Sequence, residues 1–167
     1  MNCCKPEAII SENIEDESQI ETRARCFNCK SVSRYVTKKT MFLMLKPDLF
    51  ERIGDGQYFF CGHVECPVVY FSEERQETSF SKGDLRVRVG VKEKEAPQPL
   101  CYCFGFDEAD LKEEIAVTGQ STILARIIKL VKAGMCACDR TNPSGACCLG
   151  DITKAVKRLQ NESTVFR

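Results

Sequence analysis

Twelve cysteines in 167 residues, most of them in close pairs, constrain this chain more than any other feature. They stand at positions 3, 4, 26, 29, 61, 66, 101, 103, 136, 138, 147 and 148. Thiols spaced in this way serve as disulfides or as metal ligands, and the redox compartment decides between the two. Residues 1–21 carry Glu7, Glu12, Glu15, Asp16, Glu17 and Glu21 against Lys5 among the lysines, without the basic start and apolar core of a secretory signal. The expectation is a cytoplasmic protein whose thiols bind metal. Cys3 and Cys4 fall within residues 1–22, an acidic, aperiodic leader expected to be disordered, and they stay unassigned.

Composition excludes several other classes of function. Lysines and arginines balance aspartates and glutamates at 24 each, so there is no global field to attract nucleic acid or an acidic membrane surface. The longest apolar run, Ile123 to Val131, is interrupted by Arg126 and Lys129 and is far short of the roughly eighteen residues of a membrane span. No phosphate-cradling glycine motif is present. The single histidine, His63, lies between two cysteines, leaving none for a Cys/His or Ser/His pair. No catalytic residue is assigned.

The texture of the chain changes at residues 92–99. Before it, Tyr58-Phe59-Phe60, Val68-Val69-Tyr70-Phe71 and the alternation Leu85-Arg86-Val87-Arg88-Val89 predict short strands. Lys92-Glu93-Lys94-Glu95-Ala96-Pro97-Gln98-Pro99 is charged and carries two prolines, which remove backbone donors, so it reads as a linker. Beyond it the texture is helical. Asp107 is placed to cap a helix bearing Leu111 and Ile115 and stopped at Gly119. Ser121 is placed to cap a second, bearing Ile123, Ile127, Leu130 and Val131 and stopped at Gly134, and Ile152, Val156 and Leu159 mark a third. The expected fold class is α+β, with a strand-rich domain at 23–91, a linker at 92–99 and a helical domain at 100–167.

Cys26-Phe-Asn-Cys29 and Cys61-Gly-His-Val-Glu-Cys66 form two close pairs about thirty residues apart, and such pairs resemble a zinc ribbon. Four thiolates on one tetrahedral ion would staple a domain with too little core of its own, coupling metal binding to folding. His63, inside the second loop, is an alternative ligand.

Six cysteines lie beyond the linker, and an all-cysteine [2Fe-2S] centre needs four. A hairpin of the first two helices returns Cys101-Tyr-Cys103 to the segment after Gly134, with the ligand positions in loops at helix ends. Spacing leaves two sets open: Cys101, Cys103, Cys138 and Cys148, or Cys101, Cys103, Cys136 and Cys147. Asn142-Pro143-Ser144-Gly145 reads as a tight turn between the later cysteines. A zinc ion on the same thiolates, or buried free thiols, are the alternatives.

Cys101-Tyr-Cys103-Phe104, the helical hairpin and Cys138-Asp-Arg-Thr-Asn-Pro-Ser-Gly-Ala-Cys147-Cys148 resemble the bacterioferritin-associated ferredoxin type of [2Fe-2S] domain. More narrowly, they resemble the N-terminal region of copper chaperones of the CopZ type. That resemblance, running from about Cys26 to the C-terminus, implies a zinc site as well as a cluster and implies Cys101, Cys103, Cys138 and Cys148 as the cluster ligands. Full-length chaperones of this type add a copper-binding domain with a Met-x-Cys-x-x-Cys loop, which Met135-Cys136-Ala-Cys138 does not match, so a chain without that domain is expected. The expected function is electron transfer for a protein redox or metal-trafficking partner, with metal-ion reduction as the nearest enzymatic activity. The alternative is a structural scaffold in which neither metal turns over.

Overall fold

In the computed structural model, which describes residues 22–74 and 78–165, five short strands form one antiparallel sheet in chain order. They are β1 (Arg23–Arg25), β2 (Val32–Val36), β3 (Tyr58–Phe60), β4 (Val68–Ser72) and β5 (Ser79–Ser81). Cys3, Cys4 and residues 1–21 of the expected leader lie outside the described residues. Tyr58-Phe59-Phe60 lacks polar alternation because both faces of the sheet are covered. Phe59 pairs with Phe71 on one face, in a cluster with Ala24, Cys26, Cys61 and Cys66. On the other face Tyr58, Phe60 and Tyr70 pack with Val36, Met41, Met44, Leu45 and Phe80.

The strand order fixes where the thiols go. In a meander β1 and β3 run in the same direction, so the β1–β2 and β3–β4 turns leave the sheet at the same end. Those two turns carry Cys26–Cys29 and Cys61–Cys66. The β2–β3 connection leaves at the opposite end and forms α1 (Lys38–Met44), where the Thr37 hydroxyl accepts the Thr40 amide at 3.1 Å, and then a 3-10 turn at Pro47–Arg52.

Leu85–Val89, predicted as a strand, forms only an isolated bridge from Leu85 to Leu45. The alternation is nevertheless real: Leu85 and Val89 are buried while Arg86 and Arg88 are exposed. A 3-10 turn at Lys82–Asp84, closed by reciprocal Ser81 and Asp84 bonds, directs the chain onto α1, where the Arg86 amide donates to the Met44 carbonyl at 2.8 Å. Period-two burial therefore marks an extended segment here, without a strand ladder.

The C-terminal half begins with a two-stranded ribbon, β6 (Pro99–Cys101) and β7 (Phe106–Asp107). Four helices follow: α2 (Glu108–Thr118), α3 (Ile123–Lys132), α4 (Cys138–Thr141) and α5 (Leu149–Val165). Asp107 caps α2 as its sequence position suggests. Its Oδ1 accepts the amides of Ala109 and Asp110 at 2.8 and 3.1 Å, and Asp110 returns a bond to the Asp107 amide. Gly119, at φ +76°, ends the helix in the left-handed conformation that glycine adopts without steric cost. The start of α3 differs from expectation. Beside the Ser121 hydroxyl, the carboxylate of Glu114, on α2, accepts the amides of Thr122 and Ile123 and both hydroxyls of Ser121 and Thr122. Leu111, Ile115, Ile123, Ile127, Ile152, Val156 and Leu159 enclose the core of this half, and Cys101, Cys138 and Cys148 belong to it.

The two halves touch directly. Thr40 Oγ1 donates to the Asp139 carbonyl at 2.8 Å, and the phenol of Tyr70 donates to the Pro143 carbonyl at 2.6 Å. The segment read as a linker is held between them. Lys92 is buried, the Gln98 carbonyl accepts the Glu108 amide, and Gly90 packs so closely on Pro99 that a Cβ there would fall 1.8 Å from the Pro99 oxygen.

Candidate metal centres

At the shared end of the sheet, Cys26, Cys29, Cys61 and Cys66 bring their four sulfurs within 4.8 Å of one another. Each loop is shaped by its backbone. The Cys26 carbonyl accepts the Lys30 amide at 2.8 Å with Lys30 at φ +61°, and the Cys66 amide donates to the His63 carbonyl at 3.2 Å. Cys26 and Cys66 sulfurs are 3.9 Å apart, Cys29 and Cys61 sulfurs 3.5 Å, far beyond the roughly 2.05 Å of a disulfide. Four sulfurs at about 2.3 Å from a tetrahedral zinc lie about 3.8 Å from each other, so the donor set fits that ion.

The thiols of the site differ in how readily they ionise. Burial pushes the Cys61 thiol up to about 12. Burial also opposes ionisation of Cys29, but the Ser31 hydroxyl and amide and the neighbouring thiols overcome it and hold Cys29 at about 6. Asn28 Nδ2 donates to Cys66 Sγ at 3.3 Å, a contact typical of the groups that orient metal ligands. His63 is exposed and outside the four-sulfur cluster; its backbone, not its ring, shapes the loop.

The C-terminal cysteines are arranged differently. Cys148 Sγ donates to Cys101 Sγ at 3.5 Å, and Cys103 and Cys138 sulfurs lie 3.6 Å apart. These are two close pairs. Among the described residues only the N-terminal four thiols form a group of three or more within 4.8 Å of one another, while the C-terminal pairs remain neighbours, the Cys148 backbone hydrogen-bonding the Cys138 thiol. The thiol of Cys148 beside Cys101 holds Cys101 down at about 6, while that same contact and burial push Cys148 up. Burial raises Cys138 to about 12. The Ala137 amide donates to Cys103 Sγ at 3.2 Å, and Thr141 Oγ1 lies 3.1 Å from it. Cys136 is half-buried, and Cys147 is exposed, facing away from the core that takes in its neighbour Cys148.

The loop between these cysteines is tightly built. Asn142 Oδ1 accepts the amide and hydroxyl of Ser144, and its Nδ2 donates to the Ala146 carbonyl. Gly145, at φ +64°, completes the turn against Val36 and Thr40.

Known proteins match both halves. The model of a family described as a zinc binding domain matches residues 23–86, which span the first four thiols. The copper chaperone CopZ of Archaeoglobus fulgidus is 36% identical over 147 residues, covering 81% of this chain and 68% of the relative. This chain belongs to the CopZ family. The X-ray structure of the Archaeoglobus fulgidus CopZ N-terminal domain superposes with a TM-score of 0.65 at 36% identity, covering 78% of this chain and 96% of that one. The CopZ likeness therefore extends past the zinc binding domain into the helical half. The α+β architecture and the zinc-type site agree with the sequence reading. No helix among the described residues is long and apolar enough to cross a membrane.

Sequence reasoning passed over several residues at these centres. Asn28, Thr141 and Lys92 carry no metal-ligand signature, and nothing in their local sequence marks them. Tyr70 carries only a strand signal in its local sequence.

Proposed function

We propose that this CopZ family member is a cytoplasmic electron-transfer protein of metal trafficking, stapled by zinc on Cys26, Cys29, Cys61 and Cys66 and carrying a [2Fe-2S] cluster on Cys101, Cys103, Cys138 and Cys148. The observation that carries the reading is the contrast between the two thiol sets. One gathers all four sulfurs within 4.8 Å of one another; the other makes two close contacts, Cys101 with Cys148 and Cys103 with Cys138, with no three of its sulfurs grouped that tightly. A mononuclear ion calls for the first arrangement, and two bridged irons with two thiolates each call for the second.

Bound there, the cluster supplies a one-electron couple. The chain contributes the setting: burial of Cys101, Cys138 and Cys148 excludes water, and the Ala137 amide directs a hydrogen bond at Cys103. Half-exposed Cys103 puts one ligand near the surface, where a protein partner would exchange electrons. Kinship with a protein named a copper chaperone supports a metal-trafficking partner.

Metal analysis and visible spectra of anaerobically purified protein test the reading. Two irons and one zinc per chain are expected, with a chromophore that bleaches on dithionite and returns on reoxidation. Zinc in both centres without iron would sink the cluster, and a chromophore that never bleaches would leave a structural scaffold.

A further inference from the structure

Lys92 is 2% exposed, and its ammonium lies directly beneath the Cys61–Cys66 loop. Nζ donates to the His63 carbonyl at 2.7 Å and to the Cys66 carbonyl at 2.8 Å. Among the described residues no carboxylate lies within ion-pair distance of it. Its neighbour Glu93 is committed instead to Lys82 and Arg88. A buried ammonium satisfied only by neutral carbonyls keeps a large desolvation cost unless some other charge offsets it. The loop that Lys92 holds carries Cys61 and Cys66, two of the four clustered thiols, which would become negative on binding a metal ion.

From this geometry we infer that Lys92 is the electrostatic counter-charge and positioning residue of the tetrathiolate zinc site. Four thiolates on one divalent ion leave two net negative charges. Lys92 offsets part of that charge from the protein side, where water cannot. Its two hydrogen bonds also hold the peptide units that flank the ligand loop, fixing the direction from which Cys66 reaches the metal. Because Lys92 belongs to the 3-10 turn Gly90–Lys92, and the Gly90 amide donates to the Tyr102 hydroxyl at 2.8 Å, the same turn connects the zinc loop to the Cys101–Cys103 segment. The inference rests on reading Cys26, Cys29, Cys61 and Cys66 as the zinc ligands.

The test is chelator competition for zinc in the full chain, comparing wild type with Lys92→Met and Lys92→Arg, and with cobalt(II) in place of zinc for visible spectra. Lys92→Met, which keeps the length and loses the charge, should weaken zinc binding about 10- to 100-fold, the usual effect of losing a group that orients metal ligands. Lys92→Arg should restore most of it, and the cobalt(II) bands of a tetrahedral thiolate site should persist in every variant. Unchanged affinity in Lys92→Met would overturn the inference. So would equal losses in Lys92→Met and Lys92→Arg, which would make the role one of packing alone. If Lys92→Met does not fold, Lys92→Gln replaces it, with the same loss expected and unchanged affinity again overturning the inference. Failure of the underlying ligand reading looks different: Cys26→Ser would bind zinc as tightly as wild type.

Discussion

The hydroxyl of Tyr70, on β4 of the five-stranded sheet, donates a 2.6 Å hydrogen bond to the carbonyl of Pro143, in the loop that separates Cys138 from Cys148. Seventy-three residues of chain separate the two. The bond is buried, and burial raises the Tyr70 pKa, so the phenol remains a donor at any pH the protein meets. Tyr70→Phe would leave the Pro143 carbonyl buried without that partner, at a cost of about 1–3 kcal/mol. Urea unfolding of the two proteins should show a lower midpoint with an unchanged slope.

Ligand choice in the second thiol set is open to direct test. Cys138→Ser and Cys148→Ser should each lose most of the iron, since an alkoxide is a poor substitute for a thiolate. The double variant Cys136→Ser/Cys147→Ser should keep its iron, because Cys101, Cys103, Cys138 and Cys148 supply four paired thiols and Cys147 is exposed. Iron content after anaerobic purification decides, and iron loss from the double variant would reverse the assignment.

Glu114 gives the helical half an acid-sensitive joint. Hydrogen bonds from Ser121 and Thr122 hold its carboxyl at about 2, below the ordinary value near 4.3. A depressed folded-state pKa contributes stability that is fully present above the unfolded value and is lost as pH falls through the folded one. Glu114→Gln should therefore unfold more easily than wild type at pH 6, by about 1 kcal/mol, the scale of a lost helix cap. The difference should shrink between roughly pH 4.5 and pH 2. Thermal unfolding across that range measures it.

Gly90 admits no side chain. A methyl group there would overlap the Pro99 oxygen, which belongs to the strand that delivers Cys101. Gly90→Ala should cost about 3 kcal/mol, at the upper end for overpacking, or prevent folding. Gly105→Ala offers the contrast, since nothing lies within 4 Å of a Cβ there and only its φ of +71° is at stake. Circular dichroism melts of both variants compare the two costs.

Much of the architecture was legible because it is written in local patterns. The Asp107 cap, the glycines at 119 and 134 and the apolar spacing from Ile152 to Leu159 each specify structure within a few residues. What escaped were relations across the chain. The Glu114 carboxylate caps the helix after its own, so no motif around Ser121 reveals it. Lys92 stands in the run Lys92-Glu93-Lys94-Glu95, which reads as a solvated stretch, and only its long-range contact with the Cys61–Cys66 loop reveals it as a buried charge. The pairs Cys26–Cys29 and Cys61–Cys66 announced a zinc-type site by their spacing. Which member of Cys147-Cys148 enters the core depends on how α5 sits, and successive residues point in different directions.

The contact between Thr40 and Asp139, spanning 99 residues, sets an order of assembly. During synthesis the sheet and its first thiol quartet are complete in the emerging chain well before residues 138–148 exist. The surface around Thr40 and Tyr70 must therefore wait uncovered, and the second half closes onto a template already made. Any metal taken up by the C-terminal thiols would then meet a chain whose N-terminal half has had time to fold first.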